Sequence, residues 1–315
     1  MLRMCRALSV SLVLAALGAA GTLCAQDLTL PLKSGSVRFA VIGDMGTGER
    51  PQYDVAQTMA AIHQKFPFDF VIMLGDNIYG GKSPKQFDKK FTLPYKSLLD
   101  EGVKFYASLG NHDLGTETYY KPFNMEGHRY YTFKVNDVHF FALDSNYMDP
   151  DQLQWLANEL KKAGMGWKIP FFHHPLYSSA RSHGSSIELR KLLEPMFEEN
   201  GVQVVFSGHD HVYERMKPQN GIVYFVEGSS GELRAGDLQN ASFEAKGFDR
   251  DRAFMLVEIA GQDMYFDTIS RTGELVDSGM ISEAPAASAR MTPSRPQPSV
   301  VTRLGAAPAA VVARR

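Results

Sequence analysis

Hard oxygen donors and imidazoles recur in five short runs of this chain: Asp44-Met45-Gly46, Gly75-Asp76-Asn77-Ile78-Tyr79, Gly110-Asn111-His112-Asp113, His173-His174-Pro175 and Gly208-His209-Asp210-His211. Each run follows an apolar stretch that reads as a buried strand, so the donors are expected together at one edge of one sheet. Taken singly, an Asp after a strand is ordinarily a turn or cap residue. Five such runs in chain order, all at equivalent places, are hard to explain as capping. Their donor types suit two cations about 3.5 to 4 Å apart, a pair able to clamp the attacking and leaving oxygens of a phosphate ester. Gly43, Gly75, Gly110 and Gly208 each precede a donor, which fits sharp turns or a close approach of backbone to the site.

The ordered set Asp-x-Gly, Gly-Asp-x-x-Tyr, Gly-Asn-His-Asp, His-x-Pro and Gly-His-x-His resembles the calcineurin-like metallophosphoesterase superfamily over Val37 to Ile269. Tyr79 makes the second motif similar to that of the purple acid phosphatases. The chain has no N-terminal fibronectin-like domain, which resembles the small, tartrate-resistant type. That type usually carries a disulfide, which this chain is not expected to form. The resemblance implies one metal on Asp44, Asp76, Tyr79 and His211 and a second on Asp76, Asn111, His173 and His209, with Asp76 shared. A phenolate beside carboxylates favours a hard trivalent ion, Fe(III), and hence a coloured protein; imidazoles and an amide oxygen suit Fe, Zn or Mn as the second, divalent ion.

His112 directly follows Asn111 and is assigned to the phosphate oxygens or, as general acid, to the departing alkoxide, with Asp113 as its orienter. His183 resembles a second outer-sphere histidine of the small acid phosphatases. His174 reads as a hydrogen-bonding neighbour of the metals, although adjacent imidazoles leave the choice between His173 and His174 open. His63, His128 and His139 read as structural or solvated. Gly228-Ser229-Ser230-Gly231 lacks the lysine and following helix of a phosphate loop and reads as a plain flexible loop near the site.

The implied activity is hydrolysis of phosphate monoesters, at acidic pH, by a metal-bound hydroxide. The alternatives are a phosphodiesterase with the same ligands and a protein that holds an anion without turnover. A small-molecule phosphate ester is the expected partner. The formal charge of -2 leaves no broad basic surface that would require nucleic acid, and composition does not address oligomeric state.

Alternating strands and helices must carry these residues. Strands are expected at Val37–Ile42, Phe70–Leu74, Val103–Leu109, Trp167–Phe172 and Val202–Ser207, and helices at Tyr53–Phe66, Pro84–Leu99, Asp151–Lys162 and Ser186–Glu199. These units predict a parallel sheet. The segments Tyr130–Val135, Val138–Leu143, Ile222–Glu227, Phe254–Ile259 and Met264–Ser270 have no helices between them and predict a second, largely antiparallel sheet stacked on the first. The fold class is therefore α/β, a sandwich of two stacked mixed sheets flanked by helices.

A length of 315 residues accommodates one large catalytic domain, placed at residues 26–283. Arg3 and Arg6 precede an apolar run from Ala7 to Ala20, too short to span a bilayer comfortably. Residues 1–25 read as a signal peptide, implying a secreted or periplasmic protein without a membrane span once mature; a retained membrane anchor is the alternative. Leu23 is not the small residue usual three positions before the cut. Cys5 and Cys24, the two cysteines, fall inside this leader, so only oxygen and nitrogen donors remain for a metal. From residue 284 to 315 the chain is rich in Ala, Pro, Ser, Thr and Arg without an acidic residue, and reads as a disordered tail.

Overall fold

The computed structural model describes residues 28–283; the expected leader and tail lie outside this range. Thirteen strands form two mixed sheets. The first has the order β13-β12-β11-β1-β2-β3, built from β1 (Val37–Ile42), β2 (Phe70–Met73), β3 (Lys104–Ala107), β11 (Ala253–Ala260), β12 (Asp263–Ser270) and β13 (Leu275–Ser282). The second has the order β10-β8-β9-β7-β6-β5-β4, built from β4 (Tyr131–Val135), β5 (Val138–Ala142), β6 (Lys168–Phe171), β7 (Val204–Ser207), β8 (Tyr213–Met216), β9 (Val223–Glu227) and β10 (Glu244–Phe248).

Period-two alternation decides the layers. In β1, Val37, Phe39 and Val41 enter the core between the sheets, while Ala40 and Ile42 face the helical side. Phe39, Phe70 and Phe140 fill the middle, with ring centroids 5.2 to 5.3 Å apart, and each fully buried Phe contributes about 1.5–3 kcal/mol. Helix α1 (Arg50–His63) covers the first sheet through Val55, Met59 and Ile62. Beyond it come α2 (Pro84–Phe87) and α3 (Lys96–Asp100), and α4 (Pro150–Lys162) and α5 (Ile187–Glu199) cover the second sheet through Leu156, Leu160, Leu193 and Phe197. Helix α4 starts where the Asp149 carboxylate accepts from the Gln152 N–H at 2.7 Å, just before Pro150.

The structure differs from expectation in the distribution of strand directions. The antiparallel strands do not collect in one sheet. β1-β2-β3 are parallel and continue antiparallel into β11, β12 and β13, whereas β5, β6, β7 and β9 are parallel and carry antiparallel edges at β4, β8 and β10. Three strands escaped the sequence reading. β8 follows the last histidine run without a turn signal, β10 contains Lys246 and Gly247, and β13 alternates weakly; β10 and β13 are edge strands, where burial constrains composition least.

The expected helix over 84–99 is broken into α2, a π-helical turn at Asp88–Thr92, and α3. Pro94 cannot donate to a continuing ladder. The turn presents the Lys90 carbonyl to the Gln52 amide at 2.6 Å and sends the Lys90 ammonium to the Tyr79 carbonyl, tying this layer to the site. Of the remaining histidines, His63 hydrogen-bonds the Phe68 carbonyl at 3.0 Å and His139 lies in the β4–β5 ladder. No helix among the described residues is long and apolar enough to cross a membrane.

Candidate metal centre

All five donor runs lie at the carboxyl ends of parallel strands, but not on one sheet. Asp44, Asp76 and Asn111 follow β1, β2 and β3, while His173 follows β6 and His209 and His211 follow β7. The site straddles the seam where the two sheets present their strand ends together. Stacking is needed because strand spacing within a sheet, about 4.8 Å, is too wide to gather this many donors alone.

The ends of β1, β2 and β7 bend sharply. Asp44, Asp76 and His209 adopt the left-handed region at φ 53°, 50° and 72°, a conformation costing on the order of 1–3 kcal/mol for a non-glycine residue. Their polar groups compensate in part: the Asp44 N–H donates to the Gly75 carbonyl at 3.1 Å, and the His209 N–H to the Asp44 carboxylate at 2.8 Å.

The donors fall into two groups. In one, the Tyr79 hydroxyl lies 3.2 Å from Asp44 Oδ1 and 3.3 Å from His211 Nε2, and His211 Nε2 is 3.4 Å from Asp44 Oδ1. In the other, His173 Nε2 lies 2.9 Å from Asn111 Oδ1 and 3.1 Å from His209 Nδ1. Asp76 stands between them, its Oδ1 3.5 Å from His173 Nε2 and its charge acting on Tyr79. Donor atoms of Asp44, Asp76 and His173 all lie within 4.8 Å of one another.

Burial sets the charge states. Desolvation, then the Asp76 charge, pushes the Asp44 carboxyl well above the usual carboxylate range. Desolvation likewise lowers the His173 imidazole far below its ordinary value and His209 to about 2, so both rings are neutral, as metal-binding imidazoles must be. The Leu74 carbonyl at 2.9 Å holds the proton on His173 Nδ1, which leaves a lone pair on Nε2 facing the cluster. Tyr79 is held protonated by burial and the neighbouring Asp44 and Asp76. Buried carboxylates crowded beside neutral imidazoles and a phenol form a set of oxygen and nitrogen donors that fits hard and borderline cations.

His112 is half exposed at the rim, its Nε2 4.0 Å from Asp76 Oδ2 and its ring 5.0 Å from Tyr79. His183 is brought to the opposite group, with its ring 4.2 Å from that of His209. His174 also reaches it: Ser145 binds its Nδ1 at 2.9 Å, its ring packs 4.5 Å from His209, and His173, His174 and His209 form a second cluster of possible donors.

Asp113 does not orient His112. Its carboxylate accepts from the backbone N–H groups of Gly110, Asn77 and Ile78 at 2.9, 3.0 and 3.2 Å, and so staples the turn after β2 to the turn after β3. The reason is geometric: three residues after Gly110, Asp113 folds back over its own turn while the His112 ring points outward. Asn77 joins it, donating to the Ser108 carbonyl at 2.7 Å and to Asp113 at 2.8 Å. Lys82, 2.8 Å from Glu117, donates to the Ile78 carbonyl and so holds the Tyr79 turn from outside. These supports carried no separate sequence signal.

The 228–231 segment is a correction too. Ser229 and Ser230 are fully buried, and the alternate N–H groups of Ser230 and Glu232 donate to the carbonyls of Gly43 and Asp44 at 3.2 and 3.0 Å. It is a fixed wall of the site, not a flexible loop.

Two glycines are required for different reasons. Gly75 has φ +91°, a backbone region that favours glycine. Gly110 is demanded by crowding, because a Cβ there would lie 2.1 Å from Asp76 Oδ1 and 2.2 Å from the Asp76 nitrogen. Gly110→Ala must therefore displace the turn that carries Asp76. We expect it to destabilise the fold by about 1–3 kcal/mol and to halve metal content, measured by thermal unfolding and metal analysis; a variant with parental stability and metal content contradicts this.

Comparisons with known proteins agree with the geometry. A family model described as calcineurin-like phosphoesterase matches residues 37–213. Purple acid phosphatase 17 of Arabidopsis thaliana is 27% identical over 259 residues, covering 70% of this chain and 76% of that protein. Tartrate-resistant acid phosphatase type 5 of Rattus norvegicus is 25% identical over 306 residues, covering 79% of this chain and 93% of that protein. Among solved structures, a purple acid phosphatase from yellow lupin (Lupinus luteus) seeds superimposes with a TM-score of 0.67 at 19% identity, over 79% of this chain and 54% of that one; at that identity the likeness concerns the fold.

Proposed function

Because the chain belongs to the calcineurin-like phosphoesterases and is a metal-dependent phosphatase, we propose that it hydrolyses phosphate monoesters, in acid, after export from the cytoplasm. The observation that carries the reading is the position of Asp76 between two groups of donors. One cation would be held by Asp44, Asp76, Tyr79 and His211, the other by Asp76, Asn111, His173 and His209. Tyr79 favours Fe(III) at the first position, and the imidazole-rich second suits divalent Fe, Zn or Mn. When bound, the pair supplies positive charge that neutralises phosphate oxygens and acidifies water. The rest of the work belongs to side chains. His112, exposed at the rim, would protonate the leaving oxygen, and His183 on the other side would bind a phosphate oxygen. Asp113, Asn77 and Lys82 keep the two turns rigid, so that these groups meet the substrate without reorganisation. Export rests on the leader sequence, and sequencing the N-terminus of secreted protein tests it.

Two measurements on purified protein test the reading. The first is metal content with the visible spectrum: two ions per chain and a violet colour are expected. The Tyr79→Phe variant is expected to lose the visible band while remaining folded, and a band that survives refutes iron ligation by Tyr79. The second is a comparison of rates on a phosphomonoester and its matched diester, where faster cleavage of the diester would overturn the monoesterase assignment.

A further inference from the structure

The wall formed by residues 228–234 ends in a cation whose guanidinium has an unpaired donor among the described residues. The Arg234 N–H donates to the His211 carbonyl at 3.0 Å, which anchors the residue beside the donor cluster. Its guanidinium Nη1 is buried yet has no hydrogen-bond partner, and no ion pair of Arg234 is found among the described residues. Arg38 on β1 also leaves its Nε unpaired, but its guanidinium lies over the Phe66 ring, 6.0 Å from the centroid; three other partly buried arginines are paired. Arg215 binds Asp277 at 2.8 Å, Arg271 binds Asp251 at 2.9 Å, and Arg252 donates to the Gly231 carbonyl at 2.6 Å. A buried donor left unpaired is costly, and beside a cluster of oxygen and nitrogen donors the missing partner is one that arrives from outside.

The surroundings say what that partner is. The Arg234 charge is close enough to the His211 imidazole to act on it, with the nearby Glu232 carboxylate acting in the opposite sense. A guanidinium there opposes cations, while its planar fork of N–H groups matches two oxygens of a phosphate. The wall packs closely on the turn that carries Asp44, since a Cβ on Gly231 would fall 2.4 Å from the Met45 carbonyl.

We propose that Arg234 is a substrate-binding residue whose guanidinium donates hydrogen bonds to non-bridging oxygens of the phosphate group on the His211 side of the site. This rests on the functional reading above and adds to it a direct protein contact, absent from the sequence motifs, that would favour the doubly charged phosphomonoester and its product.

The test is the binding of inorganic phosphate to metal-loaded protein by titration calorimetry, with metal content measured on each sample, for the parent, Arg234→Ala and Arg234→Lys. Arg234→Ala is expected to bind phosphate about tenfold or more weakly, with metal content retained and KM for a phosphomonoester raised more than kcat is lowered. Arg234→Lys should recover part of the affinity, because it keeps the charge but not the fork. Phosphate affinity within twofold of the parent in Arg234→Ala overturns the proposal, as does loss of metal in both variants, which would make Arg234 a prop for His211. A parent protein that takes up neither two metals nor phosphate defeats the functional reading instead, so the two failures are distinct.

Discussion

Asp76→Ala is expected to lose both metals and about 10³-fold or more of the rate, since removing even one fixed group that stabilises the transition state costs about 10²–10³-fold. Asp76 is buried, stands between the two donor groups, and accepts the backbone N–H of His112 at 2.9 Å. In the proposed arrangement one side chain would thus serve both cations and the placement of the proposed acid. Asp76→Asn separates these roles, because the amide keeps the shape and can still accept the His112 N–H but loses the charge. It should fold with parental thermal stability and bind metal weakly. Either variant retaining two metals and parental turnover refutes the shared-carboxylate arrangement.

His112→Ala is expected to lower kcat by about 10²–10⁴-fold, the range for a positioned general acid, while leaving metal content unchanged. The backbone N–H to Asp76 survives this substitution, so the turn keeps its hydrogen bond. The diagnostic readout is the dependence on leaving group. If His112 protonates the departing oxygen, the loss is large for alkyl phosphates and small for nitrophenyl phosphate, whose leaving group needs no proton. An equal loss for both substrates assigns His112 to phosphate binding rather than proton transfer.

The parts of the site legible in the sequence were those with strong local signatures. Apart from Tyr79, each donor stands two to four residues past its strand, and in a parallel sheet with helical crossovers the strand ends point the same way. The position of a donor relative to its own strand is therefore a local property. The supports were not legible: Asp113 sits beside His112 in sequence and looks like its orienter, yet its carboxylate serves Gly110, Asn77 and Ile78. Arg234 lies 23 residues beyond His211 in sequence order, and nothing local marks it out from the solvated arginines elsewhere.

By itself the sequence marked the candidate donors, the alternation of strands and helices that presents them, and the period-two pattern that sends Phe39 inward and Ala40 outward. These follow from steric and hydrophobic rules acting within a few residues. Only the tertiary structure decided that three donors come from one sheet and three from the other, with Tyr79 carried on the turn of the first. Only it fixed Asp76 at the junction, the crowding that requires Gly110, and the wall that brings Arg234 to His211. Those depend on how two sheets stack and which backbone groups then meet, and such contacts, made between residues distant along the chain, are selected by packing the whole core rather than by any local pattern.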